Sequence, residues 1–231
     1  MTTTMTASPP LIRTTIGKKV AMAGSGLILM LWLWAHMLGN LKLWFGNGAY
    51  NNYANWLRNG MDPPFPHEVL LSVIRLVALT ALVVHVYFAV VLGARSYQAR
   101  EVRYVHGDHV QANVASLTMK WGGLAIFLFG VFHLLMFTWG AVTPGYHYAF
   151  GHPAQMVIGA FGVWWVDVVY AAALLALGLH LYHATWSMFQ TWGVNSRRWD
   201  HTIRTAATVN AVVLFVGFYS LPLGVITGGI R

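Results

Sequence analysis

Eleven histidines and no cysteine set the chemistry open to this chain. Without thiolates there is no disulfide, no thiolate-held iron–sulfur cluster, no thiol nucleophile and no Cys-based zinc site, so a cofactor held by side chains takes other ligands, with imidazole the obvious supply. Five of the histidines, His36, His85, His133, His180 and His183, stand inside long hydrophobic stretches. An imidazole there can ligate a metal, relay a proton or hydrogen-bond a neighbouring helix, and an ionisable group in an apolar span faces the bundle interior as a functional candidate. Which of these it does depends on the elements that hold it.

Of 231 residues, 57% are hydrophobic and 9% charged, with a mean hydropathy of +0.57. An ordinary soluble domain carries about 25% charge, so the chain belongs in lipid. Its net charge of +8 reads as loop charge beside a membrane, with no nucleic-acid partner implied. Five runs, 20–43, 69–93, 121–141, 164–190 and 206–226, are long enough to cross the hydrocarbon, which takes about 20 helical residues. Long single segments satisfy their backbone in lipid only as helices, so the expected fold is an all-α integral membrane bundle of five transmembrane helices. The first run is too long for a cleavable signal, and no small-residue cleavage site precedes Trp44 and Phe45. Residues 1–15, Thr-rich with Pro9 and Pro10, are expected as a mobile cytoplasmic tail, and 16–231 as one membrane domain.

Basic residues orient the spans. Arg13, Lys18, Lys19, Arg95, Arg100, Arg103, Lys120, Arg197, Arg198 and Arg204 fall on one side, against Lys42, Arg58 and Arg231 on the other, with Arg75 inside span 2. That asymmetry predicts a multi-pass protein of the cytoplasmic (inner) membrane with its N-terminus cytoplasmic and its C-terminus outside. The loop 142–163 has no charged residue, and Pro144, Gly145, Gly151 and Pro153 mark it as turns.

Depth sorts the histidines. His36 lies seven residues and His133 eight from the outer ends of their spans, whereas His85 lies eight and His180 ten from the inner ends. At ~1.5 Å per residue, the first two sit roughly 11 Å below one edge and the second two about 12 to 15 Å above the other. Two level pairs, each joining alternate helices, are explained by bis-imidazole coordination of two haem irons, since haem takes one axial ligand from each face. Zinc would want three or four ligands at one depth. His183 shares a helix face with His180, and by depth alone is an equal ligand.

Three strings carry a resemblance: His36-Met37-Leu38-Gly39-Asn40-Leu41, Ala115-Ser116-Leu117-Thr118-Met119-Lys120-Trp121-Gly122, and the run from His180-Leu181-Tyr182-His183 to Gln190-Thr191-Trp192-Gly193. With the five spans and the order of histidines, the chain resembles the di-haem, five-helix cytochrome b membrane anchor of succinate:quinone oxidoreductase, and is similar to the anchor of quinol:fumarate reductase. The span 4 string is the most specific part. The resemblance implies two haem b groups, one on His36 and His133 and the other on His85 and a span 4 histidine twelve residues before the Trp-Gly pair, which is His180, with His183 as alternate. It implies a flavoprotein subunit carrying FAD and an iron–sulfur subunit docked on the cytoplasmic side, and a quinone, menaquinone by expectation, as substrate. Succinate oxidation would fall to those partner subunits, leaving this chain an electron-transfer role with no catalytic residue of its own. Rivals are a di-haem cytochrome b serving a hydrogenase or formate dehydrogenase, and a transporter that relays protons through its histidines.

Arg75 and Asp167, near the outer ends of spans 2 and 4, read first as a buried ion pair, and otherwise as contacts of a haem propionate or quinone. Lys19 and Arg95 are propionate or partner-subunit candidates at the other edge. His67 and Glu68 are placed at the interface.

Overall fold

A computed structural model describes residues 13–62, 64–99, 114–194 and 196–231, with only the backbone course for 114–117. Most of the expected tail, with Pro9 and Pro10, and the loop residues Arg100 and Arg103 lie outside the described residues. Seven α-helices follow in order: α1 (Thr15–Asn40), α2 (Asn47–Asn59), α3 (Val69–Gln98), α4 (Val114–Phe137), α5 (Pro153–Phe161), α6 (Trp164–Thr191) and α7 (Asp200–Ile226). Five of them, α1, α3, α4, α6 and α7, are long and apolar enough to cross a membrane. The protein is an all-α bundle of five such helices, as its hydropathy predicts.

Local chemistry explains the ends. Thr14 caps α1, its Oγ1 accepting from Gly17 N at 3.0 Å. At the far end α1 tightens into a 3₁₀ turn (Leu41–Phe45) and stops at Gly46, whose φ of 100° an L side chain rarely adopts. The third span stops at Phe137, short of the expected 141, as the chain turns through Gly140 at φ 63°. By contrast α3 runs on to Gln98 and α7 begins at Asp200, since polar residues at a membrane edge extend a helix into water without penalty.

Two helices are additions to the expected five. Helix α2 is polar, with Asn47, Asn51, Asn52, Asn55 and Asn59 along it, so hydropathy alone passes over it. Helix α5 lies in the loop expected to be turns, and it is deeply buried at Ala154, Met156, Ala160 and Phe161. With the 3₁₀ turn, α2 and α5 form a cap over one end of the bundle, where α1 and α4 finish and α3 and α6 begin. Beneath it Leu43, Met136, Val166, Tyr170 and Leu221 make the best-buried core.

Helix packing defines a four-cornered frame. Among the described residues α1 packs on α3 and on α6, and α6 packs on α4, while α3 and α4 form no packed pair, so the frame is open on that side. With the helices in the order α3, α1, α6, α4, the interior diagonals are the two pairs whose histidine rings meet, α1 with α4 and α3 with α6. Helix α7 closes the outside of the α1–α6 edge, most extensively against α6. Asn210 fastens that edge, accepting from Trp34 Nε1 at 2.8 Å and donating to Thr185 Oγ1 at 3.1 Å.

Candidate functional site

The diagonals of the frame are bridged by histidines. At the capped level His36 of α1 and His133 of α4 have ring centres 5.9 Å apart, with planes at 89°. At the other level, nearer the basal end where α1 starts, His85 of α3 and His180 of α6 have ring centres 6.2 Å apart, with planes at 66°. His183 points elsewhere, its ring lying 6.1 Å from that of Trp186.

Neighbouring glycines measure the spacing between levels. A Cβ on Gly26 of α1 would lie 3.1 Å from His85 Cε1, and one on Gly123 of α4 would lie 3.9 Å from His180 Cε1. His36 follows Gly26 by ten residues, and His133 follows Gly123 by ten. Both helices thus separate the two levels by about 15 Å of helical rise.

Each level fixes its rings differently. At the capped level His133 Nδ1 is 2.9 Å from the Tyr170 hydroxyl, Trp32 stacks on His36 at 5.0 Å, and Phe218 of α7 meets His36 at 5.7 Å. Asn40 Nδ2 reaches His36 Nε2 at a long 3.4 Å, and Tyr50 of the cap donates to Asn40 Oδ1 at 3.0 Å. Burial, with Tyr53 alongside, pushes the Tyr50 phenol up to about 12, so it stays a neutral donor. At the basal level His85 Nδ1 meets the Met22 carbonyl at 3.0 Å, while His180 Nδ1 is buried with no hydrogen-bond partner among the described residues.

Each level brings two imidazoles together, the number of side-chain ligands a haem iron takes, at ring separations of 5.9 and 6.2 Å that edge contacts between rings also span. For His85 and His133 the partner on Nδ1 leaves Nε2 for a metal, the division of labour found at ligating histidines. Among the described residues no three His, Asp or Glu side chains gather as a zinc site would need.

The remaining candidates are placed as follows. Arg75 and Asp167 do not pair. Arg75 is half exposed and lies 3.7 Å from Glu68 Oε2, seven residues back on its own helix edge, and Glu68 also binds Arg58 at 3.2 Å. The nearer carboxylate captures the guanidinium, which corrects the expected buried ion pair. Asp167 is 7% exposed and its Oδ1 has no hydrogen-bond partner among the described residues. Lys19 and Arg95 are exposed at the basal end, on α1 and α3. Trp186 is held by its Nε1 donating to Asp200 at 3.0 Å and by Arg204 over its ring at 4.6 Å. Sequence reasoning passed over Tyr170, whose one signal is a phenol amid the apolar first half of α6, three residues after Asp167.

With this geometry in place, the class of protein is defined: a multi-pass, all-α membrane protein with paired imidazoles across its interior. Comparison with family models, with curated proteins and with solved structures finds no match.

Proposed function

We propose that this chain is the di-haem b membrane anchor of a succinate:quinone oxidoreductase, carrying electrons between a docked iron–sulfur subunit and a membrane quinone. The observation that supports it is the pairing of imidazoles across both diagonals of one frame, two levels about 15 Å apart. His36 with His133, and His85 with His180, would each hold one haem b. When bound, haem with two imidazole ligands supplies one-electron transfer and leaves no position for oxygen.

The chain's own residues do the rest. The Tyr170 hydroxyl would accept from His133 Nδ1 in the tautomer that leaves Nε2 free, and the Met22 carbonyl accepts from His85 Nδ1, so each ring would present its other nitrogen to the interior. Gly26 and Gly123 keep the walls beside the basal pair low enough for a flat group to come close. Exposed basic residues at the basal end, Lys19 and Arg95 among them, present a charge complement to an acidic docking surface on a soluble partner. The membrane is the cytoplasmic one, with that end facing the cytoplasm, on the strength of the charge asymmetry.

The test is a pyridine haemochrome assay on the chain purified with its partners, together with succinate-driven reduction of the haem bands. Two haem b per chain, reduced by succinate, is the expected result. Colourless protein, or co-purification of a hydrogenase or formate dehydrogenase subunit without succinate oxidation, would overturn it.

A further inference from the structure

On the side of α6 turned away from α4, at the capped end, a cavity of about 960 Å³ opens between α6 and α7. Phe161, Trp164, Phe215 and Tyr219 give it aromatic walls, and Ala171 and Ala172 a low floor. Asp167, 7% exposed, lines it with an oxygen that has no hydrogen-bond partner among the described residues. An unpaired acceptor in such surroundings is destabilising. A water molecule would satisfy it poorly, because ordered water wants two to four polar partners and, besides Asp167, the side chains lining the groove offer only the Tyr219 hydroxyl. A hydrocarbon tail would not satisfy it at all.

The chemistry of the lining selects the occupant. No Lys or Arg lines the cavity, and a carboxylate repels phosphate, so a phospholipid head does not match. What matches is a flat, uncharged ring with an oxygen at its edge and an apolar chain behind it. A carboxyl group serves both oxidation states of such a ring, accepting from a hydroxyl when ionised and donating to a carbonyl when protonated. From Asp167 the groove continues to Leu175, eight residues along α6 and about 12 Å of rise, room for the start of an isoprenoid tail. We infer that this groove binds the ring of an isoprenoid quinone or quinol, with Asp167 as hydrogen-bond partner of a ring oxygen.

The site abuts the capped histidine pair through its own walls. Phe161 packs edge-on against Tyr170 at 4.9 Å, and Tyr170 is the partner of His133. Phe218, next to Tyr219 on α7, touches His36. The inference rests on the quinone-reacting role proposed above and gives that role an address.

An azido-substituted short-chain naphthoquinone, photolysed with the whole complex in its membranes, tests it. The expected result is label in residues 164–175 and 215–226, displaced by unlabelled naphthoquinone and not by phosphatidylglycerol. Asp167→Leu weakens labelling roughly 10-fold, the loss of one hydrogen bond to a charged group. Ala171→Trp, which fills the floor, abolishes it, and Asp167→Asn, which keeps hydrogen-bonding capacity, retains most of it. Label confined elsewhere, equal labelling in Asp167→Leu and wild type, or displacement by phosphatidylglycerol would overturn the site. Haem counted in the same samples separates the two ideas: haem-free protein with the groove labelled defeats the redox role alone, and haem-loaded protein labelled elsewhere defeats the groove alone.

Discussion

At the capped level the two imidazoles are held by side chains: a phenol on His133, an indole stacked on His36, and an Asn40–Tyr50 relay from the cap. At the basal level they are held by main chain and by absence of bulk: the Met22 carbonyl on His85, glycines beside both rings, and one nitrogen of His180 without a partner among the described residues. The same donor pair therefore sits in two environments, one rigid and aromatic, the other shallow and dependent on whatever lies between the rings. If each pair ligates a haem, substitutions around the capped pair tune the group, and substitutions around the basal pair admit or exclude it.

The largest effects come from the ligands. Changing His36 or His133 to Leu should halve the haem per chain and spare the basal group, and changing His85 or His180 should do the reverse, read by haemochrome content and redox titration. Loss of both groups from any one of these variants would mean the levels are not independent sites. Changing His183 to Leu should leave both, because its ring lies against Trp186.

Next is the glycine wall. Gly26→Val should eliminate the basal haem while the capped one titrates normally, since even a Cβ there comes within 3.1 Å of the His85 ring. Gly123→Ala, with 3.9 Å available, should be tolerated. Equal tolerance of both would show that the basal pair is not size-limited.

A smaller effect is expected from Tyr170→Phe. It removes the acceptor on His133 Nδ1, makes the imidazole a weaker donor to iron and raises the potential of the capped haem alone. The scale is one hydrogen bond, about 1 kcal/mol, or roughly 40 mV for a one-electron couple. An unchanged capped potential, or a shift of the basal one, would break the proposed difference between levels. The smallest effect belongs to Asn210→Leu on the α1–α6–α7 edge, which should cost about 0.6 kcal/mol of stability, visible as a slightly lower Tm with both haem bands unchanged.

Much of this architecture is legible in the sequence because lipid leaves few alternatives. The five spans follow from hydropathy, and histidines inside them stand out against an apolar background. Their neighbours across the frame can be named by depth, since helices of similar length keep residues level: His36 and His133 each lie four residues before the end of their helix. The misses have physical causes. Asn-rich α2 does have an apolar stripe, Tyr50, Tyr53, Ala54 and Leu57, but is too polar overall to register in a search for hydrophobic runs, and nine-residue α5 borrows its burial from the cap around it. Arg75 and Asp167 both lie within two turns of the capped ends of their helices without pairing, and depth carries no azimuth. The unpaired carboxyl of Asp167 and the phenol of Tyr170 depend on which way α6 is turned, which the near-uniform apolarity of that helix does not encode.

Helix α5 has no hydrogen-bonding cap of its own at its first turn; the amide of Ala154 donates instead to Asn51 Oδ1 of α2, at 3.0 Å. The first turn of α5 thus completes its backbone bonding on a side chain about a hundred residues away in sequence, so the lid over the histidine frame is built jointly by two segments and loosening either one loosens both.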